Sequence, residues 1–353
     1  MSGKTIINND KRNIILVIAA FAAVYVIWGS TYLAIKYAIE TIPTFLMAGV
    51  RFTLAGAILF AVARFSRGYE RPKLVHWRTS LIVGTLLLTI GNGGVVLAEH
   101  YISSSLAALL VATEPFWFVL LGWIFMGSGR PNLKVTLGLA VGFLGVWLVI
   151  SGQVAAADSG GSNQLFGAVL IMIASLGWAA GSLYGIRAPA VKSAILGSGM
   201  QMLAGGAVLL IIGTVTGEWP QVNVSAMSFN SLFALGYLIV FGGIVVFTAY
   251  SWLLKNVSPT AVTTYAYVNP AVAVFLGWAI AGESLTGRML LGAAIIVGSV
   301  ALITMQKRSG LFDWVARKAP LLTKEGWQPF RLTGWFSRAR SRQRSKTSLY
   351  APR

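Results

Sequence analysis

Ten apolar runs follow one another along this chain, separated by short polar gaps. They lie at 14–35, 44–63, 80–98, 103–126, 133–151, 165–185, 196–216, 229–253, 260–281 and 288–305. Each is close to the ~20 residues that a helix needs to cross ~30 Å of hydrocarbon. A membrane β-barrel would show ~10-residue segments of alternating polarity instead. The pattern predicts an all-α integral membrane protein with ten transmembrane helices. The first run follows Lys4, Lys11 and Arg12 and contains Ala20-Phe21-Ala22, which resembles a cleavable leader. It continues to Ile35, too long for a leader's apolar core, so it is predicted to stay as the first span.

The pattern also repeats. The string "ISSSLAALLVATEPFWFVLLGWIFMG" (102–127) aligns without gaps on "VSPTAVTTYAYVNPAVAVFLGWAIAG" (257–282), with Ser, Pro, Val, Leu-Gly-Trp and the last Gly in common. Trp28 and Trp178 correspond in the same way. Equivalent helices are five spans apart, and five is odd, so the two five-helix repeats are predicted to be inverted with respect to each other. Inverted repeats of this kind are a transporter signature, with binding sites near mid-membrane at the repeat interface.

Composition agrees: 56% of the 353 residues are hydrophobic and 11% are charged, against about 25% charged in soluble domains. The net charge of +18 might suggest a nucleic-acid partner, but 12 of the 28 basic residues lie in 306–353 and most others sit in short loops on one side. Basic residues placed so set orientation or touch anionic lipid; no nucleic-acid partner is expected. Only Lys36 and Arg288 fall in gaps on the other side, which predicts that both termini are cytoplasmic. Residues 1–13 are then a cytoplasmic N-terminus, and 306–353 a basic cytoplasmic tail of disordered composition. There are no cysteines and only two histidines, so no disulfide framework, metal site or cofactor is expected.

Polar side chains are unevenly spread over the spans. Helices 5 and 10 are almost wholly apolar, with small residues such as Gly138 and Gly142. Such residues serve close packing, within one chain or in a homodimer through these two helices. The polar groups fall on helices 1, 3, 4, 6, 8 and 9: Trp28, Ser30, Thr31 and Tyr32; Asn92 within "GNGG"; Trp178 and Tyr184; Tyr265, Tyr267 and Asn269. In lipid they must face one another or a wet cavity. Two ionisable residues lie deeper, Arg51 on helix 2 and Glu114 on helix 4. Each costs about 2.5–3.5 kcal/mol at a helix centre, so each needs a partner. An ion pair between them is one solution; exposure of Glu114 to a central cavity, to bind a cationic substrate group or carry a proton, is the other. Pro115 and Pro270 should bend helices 4 and 9. Glu99 and His100 end helix 3, where an ordinary polar helix end and a gate at the cavity mouth are both open readings.

Three strings carry a family resemblance: "WGSTYLAIKYAIETIPTFLMAGVRF", "GNGGVVLAEH" followed by "SSSLAALLVATEPFW", and "NVSPTAVTTYAYVNPAVAVFLGWAIAGESL". The chain over 14–305 resembles bacterial exporters of the EamA family, in the drug/metabolite transporter superfamily. The resemblance implies two EamA repeats (14–151 and 165–305), a cavity lined by helices 1–4 and 6–9, and helices 5 and 10 as scaffold. It assigns functional positions to Trp28–Thr31, Arg51, Pro115, Pro270 and Glu283. The first-repeat counterpart of Glu283 falls on Ser128 and is not acidic. The expected function is secondary transport of a small molecule, exporting metabolites, amino acids or drugs across a bacterial inner membrane by alternating access. The rivals are an integral membrane enzyme, for which a catalytic constellation is missing from the sequence, and a passive channel.

Overall fold

The computed structural model describes residues 3–66, 68–126, 131, 133–156, 161–256 and 265–305. They form ten spanning helices. Helix α1 (Gly3–Ala38) leads into α2 (Thr44–Phe65), and α3 covers Leu74–Ala98. The fourth, α4, is two segments, Ser104–Val111 and Glu114–Met126. Next come α5 (Leu133–Ala156), α6 (Gly161–Arg187) and α7 (Ala194–Val215). Helix α8 runs from Phe229 to Asn256, and α9 (Tyr265–Ala281) and α10 (Gly287–Met305) complete the set. Eight are long and apolar enough to span; α9 and α10 are shorter apolar helices. Their outward faces carry bare apolar side chains such as Phe65, Leu144, Trp147 and Phe233, each more than 60% exposed, as suits a surface solvated by lipid.

The helix through the first run starts at Gly3, well before the apolar stretch, although the spanning part begins only at Ile15. Helix α3 likewise starts at Leu74, six residues earlier than hydropathy predicts, because a helix continues through polar residues once it leaves the hydrocarbon. The face holding the N-terminus is termed proximal here, and the other face distal. The distal ends are then those of α1 and α3 and the starts of α2 and α4.

Two pairs of helices lock through glycine. Between α2 and α7, a Cβ on Gly199 would lie 2.8 Å from the Phe60 nitrogen, and one on Gly206 2.7 Å from that of Thr53. Between α5 and α10, a Cβ on Gly292 would lie 3.0 Å from the Gly145 carbonyl. Gly142 abuts the Phe116 ring and Ser299. These small residues therefore serve packing inside one chain. Gly138 differs: with Val141, Gly298 and Leu302 it lines a shallow apolar groove between α5 and α10.

The repeat is visible in an irregular detail. Helix α3 widens into a π-helical stretch at Thr85–Asn92, and α8 does the same at Val240–Val245. These are equivalent places in the two halves, each ending near a Gly-Gly pair. The "GNGG" string thus widens the helix rather than breaking it. Extra turns of this kind splay a helix locally and recur at functional sites.

The two prolines behave differently. On α4, the ladder is interrupted at Ala112–Thr113, where the Thr113 hydroxyl and amide both donate to the Leu110 carbonyl (2.6 and 3.1 Å). A fresh helix then starts at Glu114, so Pro115 occupies its first turn, where a missing N–H costs least. On α9, Pro270 lies inside a continuous helix.

Candidate functional site

A cavity of about 110 Å³ lies between the two halves, well above the roughly 10–15 Å³ that a single water requires. From the first half, Trp28, Thr31, Tyr32, Arg51, Asn92 and Glu114 line it. From the second half come Trp178, Tyr265, Asn269 and Pro270. Helices α1, α2, α3, α4, α6, α8 and α9 therefore contribute. Helices α5 and α10 do not, as expected of scaffold, and neither does α7, which the resemblance had included. The glycine-tight packing of α7 on α2 turns it away.

Some expected residues lie elsewhere. Ser30 donates to the Ile27 carbonyl and shares a 2.6 Å hydrogen bond with the Tyr237 hydroxyl, tying α1 to α8. Two residues beyond Trp28 it is turned by about 200° around the helix axis. Tyr184 is 39% exposed on the outer surface of α6, six residues from Trp178 and so rotated by about 240° from it. Pro115 does not line the cavity, and the side chain of Tyr267 lies outside the described residues, as does Ser128. Polar inventory alone had not separated helix faces; counting 100° per residue from Trp28 and Trp178 would have done so.

The Arg51–Glu114 ion pair does not form. The Arg51 guanidinium instead donates to the Asn92 side chain (3.3 Å) and lies over the Phe52 ring, 4.7 Å from its centroid. Its Nε has no partner among the described residues. Depth along the helix axis places two residues at one level but says nothing of the side each faces. Glu114 starts the second segment of α4, where the helix dipole favours an anion. No hydrogen bond or ion pair to Glu114 occurs among the described residues. One wall is aromatic: Trp28 meets Phe247, Tyr250 and Tyr265 at centroid distances of 5.6, 5.2 and 5.1 Å. With its amide nitrogen turned toward them, Asn269 donates to the Tyr265 and Tyr25 carbonyls at 3.2 Å, joining α9 to α1.

A charged cluster ties the distal ends of the helices together. Glu283, just past α9, accepts from the Ser104 amide and hydroxyl (3.0 and 2.8 Å), the Ser105 amide (3.0 Å) and the Ser105 hydroxyl. It also pairs with Lys36 at 3.0 Å. The loop after α9 thereby caps the start of α4 and holds the end of α1. Burial alone would raise the Glu283 carboxyl, but the bonds from Ser105, Lys36 and Ser104 outweigh it and hold it below its ordinary range. Glu218 caps α2 in the same manner through the amides of Phe45 and Leu46 (2.8–3.0 Å). Glu99, for which the sequence left both an ordinary helix end and a gate at the cavity mouth open, is buried beside this cluster. On the proximal side, the pair Lys192–Glu70 is solvent-exposed. Among the described residues, no three His, Cys, Asp or Glu side chains gather as a metal site would need.

Comparison with known proteins fits this architecture. Residues 14–151 and 165–305 each match the EamA-like transporter family. The chain is 39% identical over 301 residues to the uncharacterized inner membrane transporter YedA of Escherichia coli K12, covering 84% of this chain and 93% of that protein. It is 26% identical over 288 residues to an S-adenosylmethionine/S-adenosylhomocysteine transporter of Chlamydia trachomatis serovar L2, covering 78% and 85%. A crystal structure at 18% identity superposes with a TM-score of 0.55 over 84% of this chain and 99% of its own, a likeness of fold.

Proposed function

This chain belongs to the EamA-like transporter family, and we propose that it works as a secondary transporter, exporting small metabolites, amino acids or drugs across a bacterial inner membrane by alternating access. That it is a multi-pass membrane transporter and not an enzyme follows from the family. The observation that carries the finer reading is the cavity between inverted halves, with the part-buried bonds of Glu283 tying α1, α4 and the α9 loop together at the distal end. A permanently open pore would not have that closure. Both termini are then cytoplasmic, and the distal face is the outer one.

The cavity chemistry supports a substrate bearing both charges. Among the described residues, Arg51 offers a guanidinium with an unused N–H and Glu114 a carboxylate without a partner; the Trp28 wall suits a cationic group. The Chlamydia relative is named for S-adenosylmethionine, which carries such charges, and that class belongs in the first panel tested. A homodimer would use the Gly138–Gly298 groove; cross-linking in native membranes tests it.

The test is a thermal-shift screen of the purified protein against amino acids, sulfonium compounds and cationic drugs, followed by uptake into proteoliposomes of any hit. A hit should stabilise the parent protein, and Glu114→Gln should lose that stabilisation while keeping its own melting point. Transport by the parent that Glu114→Gln leaves unchanged removes Glu114 from the site. Single-channel currents far above transporter turnover overturn alternating access.

A further inference from the structure

Glu99 is the most anomalous side chain in the molecule. It follows the last residue of α3, is 8% exposed, and neither carboxylate oxygen has a hydrogen-bond partner among the described residues. Its surroundings are nonetheless charged. Arg51 and Tyr32 interact with it from the cavity side, and Lys36 and Glu283 from the distal closure. His100 is adjacent in sequence but turns away to share a 2.7 Å bond with Thr44. Arg51 is engaged with Asn92, and Lys36 with Glu283. Both cations that might have paired with Glu99 thus face other groups.

An anionic carboxylate buried without a single donor is costly enough that such groups take up a proton instead. We propose that Glu99 is a proton-binding site of the transport cycle: it holds a proton while the distal end is closed, and gives it to the water that enters when that end opens. Direction and sign agree with the neighbours. Burial, and then the charge on Glu283, push the Glu99 carboxyl well above its ordinary range, against the pull of Lys36 and Arg51. The closed form is therefore favoured at low pH and loses that advantage as pH rises through the raised value. Once charged, Glu99 repels Glu283 and competes for Lys36, which weakens the contacts that hold α4 against α1 and the α9 loop. Glu99 is acted on electrostatically from both sides, by Arg51 of the cavity and by Lys36 and Glu283 of the distal cluster. Glu114 lines the cavity only.

The proposal rests on alternating access, and the experiment separates the two. The chain has no cysteine, so spin labels on His100→Cys and Ser284→Cys report the distance across the distal end. Both positions are exposed, and the first change also removes the neighbouring imidazole. Distances are measured in proteoliposomes from roughly pH 4 to 9, which starts just below the ordinary carboxyl value of about 4.3 and covers the raised values that burial produces. The expected result is a short distance at low pH and a growing long-distance population as pH rises, with the ratio changing by up to about tenfold per pH unit for one proton. Glu99→Gln should hold the short distance throughout, and Glu70→Gln, exposed on the proximal face, should keep the response. If the labelled protein opens with pH and Glu99→Gln follows the same curve, the proton site is refuted. It is equally refuted if pH has no effect while Glu283→Gln opens the distal end, and alternating access then stands. If neither pH nor Glu283→Gln moves the labels, alternating access falls with it.

Discussion

Removing the charge of Glu283 is the sharpest test of the distal closure, because its partners are unequal. The carboxylate accepts two bonds from Ser104, two from Ser105 and one from Lys36. Glu283→Gln removes the charge from all five and gives one side of the group a donor where an acceptor stood. One backbone N–H of the α4 start then faces a donor, at about 1–3 kcal/mol, and the surviving bonds drop from charge-assisted to neutral strength, a further ~1–2 kcal/mol in all. Lys36→Met deletes only the ion pair. The Lys36 side chain is 33% exposed, so water screens that contact and its loss costs about 1 kcal/mol or less. At about 2.1 cal/mol/K of unfolding entropy per residue, a chain of 353 residues shifts by about 1–2 °C per kcal/mol, so Glu283→Gln should melt at least ~2 °C lower and Lys36→Met no more than ~2 °C lower, the first always exceeding the second.

The assay is thermal unfolding of the purified protein in one detergent, with the double variant completing the cycle. The pH dependence gives an internal check. Glu283 is held below its ordinary range, so its stabilisation is present at neutral pH and is lost as pH falls through the lowered value. The gap between parent and Glu283→Gln should be full at neutral pH and close below the ordinary carboxylate value of about 4.3. A Lys36→Met loss equal to that of Glu283→Gln would refute the reasoning, since the serine bonds would then carry nothing.

Further outcomes follow from the packing and the cavity. Gly199→Leu or Gly206→Leu should sharply reduce the yield of folded protein, by overpacking worth about 1–3 kcal/mol or more; Gly236→Leu, where a Cβ meets nothing within 4 Å, should be tolerated in a size-exclusion profile. Trp178→Ala should abolish the stabilisation given by any ligand hit, and Tyr184→Ala should leave it intact; the reverse would put the binding site on the outer face of α6. Glu114→Gln should lose ligand stabilisation with its own melting point unchanged, as set out for the cavity.

What hydropathy reveals is the burden each span bears in lipid, and this is why ten helices, their repeat and the apolar character of α5 and α10 were legible. The repeat could be read because Pro115 and Pro270, and Trp28 and Trp178, keep their places in both halves. Angular placement was not legible from an inventory of polar types. Ser30 and Tyr184 are as polar as their cavity-lining neighbours but sit on other faces, and Arg51 and Glu114 share a level without sharing a side. The break in α4 was half legible: proline marks it, yet the same proline leaves α9 continuous, because the break also uses the Thr113 hydroxyl, and the corresponding position of α9 is Val268.

Glu99 and Glu283 illustrate the harder case. Each lies just past the end of an apolar span, where a sequence reading expects water and assigns a charge no cost. Burial there is a property of the assembled distal end, made by α1, α4 and the α9 loop closing over it. Glu283 enters that environment with five donors and stays an anion; Glu99 enters it with none. Two carboxylates in one closure are thus driven to opposite charge states: burial and the Glu283 charge raise Glu99, which has no donor among the described residues, while the bonds to Glu283 outweigh its burial. A closure that needs one of them charged and the other neutral is stable only over a limited pH range, bounded below by protonation of Glu283 and above by ionisation of Glu99. The two variants should therefore act at opposite ends of it, with Glu283→Gln weakening the closure where the parent is most stable and Glu99→Gln extending it toward alkaline pH.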